Sequence, residues 1–190
     1  MIINVLQVLQ IRKWLRSLVV MNLQEALLAE HSKAQCMRIV KWVGQDQQRF
    51  KELLTFFLSD DIKLAQRAAW PVSYAVQAHP VLIRNHYNKL IKQLAKPNLP
   101  DAVKRNTVRI FQDTAVPERF HGELMNRCFG YIESLTEKPA IKAFSLTILY
   151  NLSKQYPDIR PELKTIIEDR WEYETAAFWS RGRKILKKIG

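Results

Sequence analysis

A chain of 190 residues has the length of one ordinary domain, and its 47% of apolar residues exclude wholesale disorder. The 5 glycines are too few for a β-sandwich, a β-barrel or a glycine-rich nucleotide-binding loop. Two cysteines cannot form a disulfide scaffold and indicate a reducing compartment, so we expect a cytoplasmic protein. The 30 Lys and Arg outnumber the 18 Asp and Glu, and the net charge of +12 favours an anionic partner.

The first 20 residues carry three cations, Arg12, Lys13 and Arg16, and no acid. Their apolar run is too short to span a bilayer, and the cations follow it, whereas a secretory signal places them before it. We therefore interpret residues 1–20 as an N-terminal extension or an extra helix. A targeting or membrane-surface helix is the alternative. An ordinary helical N-terminus begins at Met21.

From Met21 onward, apolar residues recur at three- and four-residue spacing, which is typical of helices that bury one face. One such apolar set repeats every 37 or 38 residues. Its copies are Phe50, Leu53, Leu54 and Phe57; Tyr87, Leu90, Ile91 and Leu94; Met125, Cys128, Phe129 and Ile132; and Leu163, Ile166 and Ile167. A second series, on the preceding helices, comprises Leu27, Leu64, Val103 and Ile141.

The period predicts about four helix–turn–helix units, followed by a capping helix at residues 174–188. Because one helix pair cannot bury its apolar face alone, the units must stack on one another. Prolines mark the turns, since proline suits the first turn of a helix, whereas Pro71 falls inside a helical run and should bend it. The predicted units are residues 21–59, 60–98, 99–136 and 137–172.

The segment PAIKAFSLTILYNLSKQYPDIRPELKTII resembles a HEAT-type repeat, with an apolar first helix, a proline-marked turn and an apolar second helix. Pro71 is similar to the proline that bends the first helix of many HEAT units. The resemblance covers residues 21–172. It implies an all-α, right-handed α-α superhelix, the HEAT-like solenoid of the armadillo type. A plain up-and-down helical bundle, which needs no fixed period, is the alternative.

The positive charge is concentrated in two segments. Residues 62–112 hold nine cations against Asp101 alone, a net +8, and residues 175–190 add +5. An ordinary solvated face mixes charges of both signs, so the first segment predicts a contact surface. The apolar residues of the C-terminal tail instead favour a helix that caps the last unit, although a nucleic-acid or membrane contact is the alternative.

In HEAT-like solenoids the second helix of each unit lines the concave binding surface. The resemblance therefore implies a basic strip along the second helix of the second unit, extended onto the third. It should hold an acidic protein or the backbone of a nucleic acid through point charges, with salt-sensitive affinity. The predicted contact residues are Arg84, Asn88, Lys89, Lys92, Lys96 and Arg127, with Asn85 and Gln93 among the neighbouring amides.

We find no phosphate-binding loop and no His or Cys cluster with metal-ligand spacing, so we expect no metal, no cofactor and no membrane anchor. A non-catalytic binding or scaffold protein is the favoured interpretation. The alternative is a DNA-binding protein of the type of the HEAT-like glycosylases, which remove alkylated bases. No catalytic residue can be assigned for it. Its candidate ingredients are Trp42, Trp70, Asp113, Glu123, Arg127 and Tyr131.

Overall fold

The computed structural model describes residues 21–190, and the predicted extension at residues 1–20 lies outside the described residues. The described chain forms ten α-helices and no strand, joined in places by short 3-10 turns. The helices are α1 (Leu23–Ala29), α2 (Lys33–Val43), α3 (Gln47–Phe57), α4 (Ile62–Ala78), α5 (Tyr87–Leu94), α6 (Asp101–Gln112), α7 (His121–Glu133), α8 (Pro139–Leu152), α9 (Arg160–Asp169) and α10 (Ala176–Ile189).

Local sequence explains where the helices begin. The first four start at a polar side chain that accepts a hydrogen bond from a backbone N–H of the first turn. Prolines lie at the first or second position of α8 and α9 and of the 3-10 turns before α5 and α9, where the missing N–H is not needed. The four capping residues are Asn22, Ser32, Asp46 and Asp61.

The helices stack in a repeating order. Helices α2, α4, α6, α8 and α10 pack one against the next, and we call them the first layer. Helices α3, α5, α7 and α9 form the second layer, in which each helix packs against the following member of the first. This arrangement is an all-α HEAT-like solenoid. The C-terminal helix α10 continues the first layer by packing on both α8 and α9.

Hydrogen bonds between side chains of successive units repeat the period of the sequence. Lys96 Nζ donates to Asp60 Oδ1 at 2.8 Å, across 36 residues of chain. Further along, Arg181 Nη1 donates to Thr147 Oγ1 at 3.1 Å, across 34 residues. These polar contacts join neighbouring units at the surface, outside the apolar core.

The predicted apolar sets form the core. All members of the copies that begin at Phe50 and Tyr87 are buried, and so are Leu27, Leu64, Val103 and Ile141. The third copy is offset by one residue, because Leu124 is fully buried while Met125 and Phe129 are only half-buried. Neighbouring positions on a helix differ by about 100°, so a wide apolar stripe does not define its centre to one residue.

The first unit also differs from a simple helix pair. Its N-terminal part is divided into α1 and α2, because Ser32 caps a new helix. Pro71, in contrast, lies inside α4, which runs without interruption from Ile62 to Ala78. Among residues 21–190, we find no helix with both the length and the apolar character that crossing a membrane requires.

Candidate functional site

The basic surface of the second unit is built on α5. Its apolar residues Tyr87 and Leu90, one turn apart, face the core, so the side chains between them point outward. Asn88, Lys89 and Lys92 are exposed on this outer face, and Arg84 is exposed just before the helix. We call these four residues the α5 strip. Within residues 21–190, none of its three cations forms an ion pair.

A lysine of the neighbouring helix α3 adds to the same positive region. His86, at the start of α5, is 9% exposed and packs in a tilted arrangement against Phe50, at 5.7 Å between ring centroids. Burial lowers the pKa of His86, and the positive charges of Lys89 and Lys51 lower it further. Lys51 and Lys89 therefore act on one buried imidazole from two helices. Sequence reasoning missed Lys51, because residues 21–61 are nearly neutral as a segment.

Two other predicted contact residues already have partners within the chain. Lys96 pairs with Asp60, and this contact lowers the pKa of the exposed Asp60 carboxyl. Arg127 pairs with Glu123 at 2.8 Å and donates to the carbonyl of Leu94 at 3.1 Å. These bonds hold Lys96 and Arg127 at the C-terminal end of α5, beside the strip.

The amide Gln93, expected on the basic strip, is instead 5% exposed and belongs to the buried face of α5. Gln93 follows Leu90 by one helical turn, so it lies beside the apolar face of α5 and is buried with it. That expectation was wrong. The exposed Asn85 remains beside Arg84.

Other cations of residues 62–112 lie on the first layer. Arg109 Cζ lies 4.8 Å from the centroid of the Tyr74 ring, and the Nζ of Lys33, a residue of α2 outside that segment, lies 3.7 Å from the same centroid. Hydrogen bonding to Lys33 and then to Arg109 lowers the pKa of Tyr74. Arg109 also bonds Gln77 at 3.3 Å. The charge that is continuous in the sequence is thus divided between two faces of the molecule.

The residues considered for a glycosylase do not meet in one site. Asp113 accepts a hydrogen bond from Gln77 at the end of α4, on the first layer. Glu123 instead pairs with Arg127 on α7, in the second layer. Tyr131 lies beneath Lys104, and burial raises its pKa to about 12. The carboxylates and aromatic rings are therefore distributed among separate contacts.

The two cysteines and His121 take structural positions. Cys36 and Cys128 are both buried free thiols, and burial raises their pKa to about 11 and about 12. His121 is buried, with Nδ1 3.0 Å from the Tyr156 hydroxyl and Nε2 2.7 Å from the carbonyl of Val116. In residues 21–190, no group of three His, Cys, Asp or Glu side chains is arranged to hold a metal ion.

The basic C-terminal helix α10 buries one face against the rest of the solenoid. Phe178, Gly182 and Ile185 of α10 are buried, and Arg181 bonds Thr147 of α8. The Arg183 guanidinium lies 5.9 Å from the centroid of the Trp171 ring. The remaining lysines of α10 are exposed.

Comparison with known proteins gives one match. A family model described as a HEAT repeat domain matches residues 23–189. No curated protein matches the chain, and no solved structure matches it. The family match runs beyond residues 21–172, where the repeats are recognisable in the sequence, and includes α10.

Proposed function

The chain belongs to the HEAT repeat domain family, and from this premise we propose that it is a non-catalytic binding protein whose α5 strip holds an acidic protein partner. Stacked helical repeats offer extended surfaces on which partners bind. The buried free cysteines are compatible with our expectation of a cytoplasmic location.

One observation carries this proposal: the cations of the α5 strip are exposed and have no acidic partner among the described residues. Lys51 supplies further positive charge from α3. Like charges on adjacent helices repel one another, so an anionic ligand that neutralises them gains binding energy. Lys96 and Arg127, held by Asp60 and Glu123, flank the strip and contribute less.

The number of available cations favours an acidic protein over a nucleic acid. Arg84, Lys89, Lys92 and Lys51 are four charges on a small surface. DNA-binding proteins commonly make about 6–10 phosphate contacts and depend on them for affinity. Four cations are fewer than that, and they match the charge of a small patch of Asp and Glu side chains on a protein surface. We infer that they position this partner and provide its salt-sensitive binding.

The test is a fluorescence anisotropy titration with a labelled polyglutamate peptide of about 20 residues at low salt. The variant Lys89→Glu/Lys92→Glu should bind it at least about tenfold more weakly than the wild type, because two attractive charges become repulsive. Raising the salt to about 0.3 M should weaken wild-type binding, because the screening length then falls below the value of about 8 Å at 0.15 M.

The matched control is Arg38→Glu/Lys41→Glu. These two exposed residues of α2 have the same spacing and undergo the same change of charge, but they lie on the first layer. The control should retain the wild-type affinity. Absence of binding at low salt, or an equal loss in the control, would overturn the proposal. Tighter binding of a labelled DNA duplex of equal charge would identify a nucleic acid as the partner and refute the choice of an acidic protein.

A further inference from the structure

The loops that lead from each second-layer helix to the next first-layer helix lie along one edge of the solenoid. They comprise residues 58–61, 95–100, 134–138 and 170–175. Ion pairs connect them in sequence. Lys96 of the second loop reaches Asp60 of the first, and Lys138 of the third lies 3.8 Å from Asp101, which follows the second. Glu174 of the fourth pairs with Lys142, which follows the third. We call this side of the molecule the loop edge.

The loop edge carries the three most exposed large apolar side chains of the described chain. Leu135 is 81% exposed, Tyr173 is 76% exposed and Ile62 is 61% exposed. The half-buried Leu99 lies in the loop between those of Ile62 and Leu135. Together they form an apolar row, Ile62, Leu99, Leu135 and Tyr173, with one member in or directly after each loop, at separations of 37, 36 and 38 residues. Apolar side chains that recur at the surface with the period of the repeat indicate an interaction surface.

A cleft of about 130 Å³ lies at one end of this apolar row. Ile62, Leu99 and Val103 contribute its apolar walls, and Asp60 and Lys96 stand at its border. The mixed apolar and polar lining of this cleft suits one aliphatic side chain together with the peptide backbone beside it.

The spacing of the apolar row sets the conformation of a matching ligand. Packed helices lie about 8–10 Å apart, so successive members of the row are separated by about that distance. A polyproline II segment has three residues per turn and rises about 3.1 Å per residue, so every third side chain points the same way, about 9.3 Å from the last. An extended peptide with an apolar residue at every third position thus matches the row.

The charge of the loop edge defines the rest of that ligand. Exposed carboxylates outnumber exposed lysines by six to two, and both lysines, Lys96 and Lys138, already contact acids of the edge. A basic segment therefore complements it. The six carboxylates belong to Asp60, Asp61, Asp101, Glu133, Asp169 and Glu172.

We propose that the loop edge is a second docking surface, which binds an extended, basic peptide segment of a partner protein with an apolar side chain at every third residue. The apolar side chains contact the row and one of them enters the cleft, while Lys or Arg residues between them face the surrounding carboxylates. This site is independent of the α5 strip and has the opposite charge preference.

The test uses a fluorescently labelled peptide in which Leu-Lys-Lys is repeated four times. A second peptide of the same composition has its leucines consecutive, and a third has glutamate in place of lysine. Wild-type protein should bind the first at least about tenfold more tightly than the second, because only the first has the matching spacing. The third is compared in Lys89→Glu/Lys92→Glu, which lacks the acid-binding lysines of the α5 strip, and there it should bind at least about tenfold more weakly than the first, because its charge does not match the loop edge. The variant Ile62→Ser/Leu135→Ser/Tyr173→Ser should lose about tenfold in affinity for the first peptide.

The matched control is Leu28→Ser/Met37→Ser/Val81→Ser, which removes the three other exposed large apolar side chains, away from the loop edge. It should retain wild-type affinity, and so should Lys89→Glu/Lys92→Glu, so this site and the α5 strip can fail separately. Equal binding of the two lysine peptides, or equal loss in the control, would overturn the proposal. If wild-type protein self-associates in sedimentation velocity and the loop-edge variant is monomeric, the row binds a second copy of the chain instead.

Discussion

A buried ion pair fixes the C-terminal helix to the rest of the solenoid. Lys142 is the fourth residue of α8, and Glu174 lies in the loop between α9 and α10. Their side chains are 3% and 4% exposed and are hydrogen-bonded to each other. Arg170 also donates to Glu174, at 3.0 Å. Glu174 thus has two cationic partners, whereas Lys142 has one carboxylate.

Replacing Glu174 by an apolar residue of similar size should strongly destabilise the protein. In Glu174→Met the Lys142 ammonium stays buried without an acceptor, and breaking a buried pair on one side costs about 3–5 kcal/mol. For a chain of this size each kcal/mol lowers Tm by about 2–4 °C, so we expect a fall of about 6–20 °C. The double variant Lys142→Met/Glu174→Met should recover part of the loss, because the buried ammonium is gone, while Arg170, 16% exposed, still lacks its carboxylate.

The assay is urea and thermal unfolding followed by circular dichroism at 222 nm, with the control Lys138→Met at the N-cap of the same helix. Lys138 is 61% exposed and lies 3.8 Å from Asp101, so its loss should cost less than about 1 kcal/mol. This expectation is contradicted if Glu174→Met is no more destabilising than Lys138→Met, or if the double variant is less stable than Glu174→Met. Either result would show that the buried Lys142–Glu174 pair does not stabilise the packing of the C-terminal helix.

Three further predictions concern other buried groups. Because the folded state lowers the pKa of His86 below 6.5, the unfolded chain takes up its proton first as the pH falls through 6.5. The urea midpoint should therefore decrease between pH 7.5 and 5.5, and less so in His86→Gln; equal slopes would contradict this. Gly182→Ala should destabilise, since its Cβ would lie 3.0 Å from an Ile167 methyl, whereas Gly130→Ala meets open space and should gain about 0.8–1 kcal/mol of helix stability. Denaturation midpoints that rank the two alanine variants in the reverse order would refute this packing. The thiols of Cys36 and Cys128 should resist a thiol-specific reagent at pH 8 until urea unfolds the chain, and rapid labelling of the native protein would show that they are not buried.

The fold was largely predictable because the repeat consists of apolar residues that recur at the same positions of each unit. Phe50 and Tyr87 begin copies of one pattern, and each copy became a buried helical face. The offset in α7 was not predictable, since Leu124 and Met125 are equally apolar in the sequence, and only packing against α8 selects Leu124. The division of α1 from α2 depends on the Ser32 cap, a local signal weaker than the apolar period.

The candidate site was less predictable, because charge pairing depends on which residues of different units meet. Lys96 resembles Lys89 in the sequence, yet Asp60, 36 residues away, lies within its reach. The pairing of Arg127 with Glu123, four residues before it on one helix, was in contrast predictable. Lys142 looks like an exposed lysine of α8 until Glu174 is brought to it from 32 residues away. The apolar row of the loop edge was also missed. Its members occur once at each loop, so they do not show the three- and four-residue spacing by which apolar helix faces are recognised.

The titration of His86 tests the central claim most directly, because this imidazole senses the charges of Lys51 and Lys89. Its pKa can be followed by NMR, without and with a saturating polyglutamate peptide. If the acidic ligand binds the α5 strip, its carboxylates offset both lysines, and the pKa of His86 should rise towards 6.5. An unchanged pKa of His86 at saturation would contradict the assignment of the α5 strip as the binding surface.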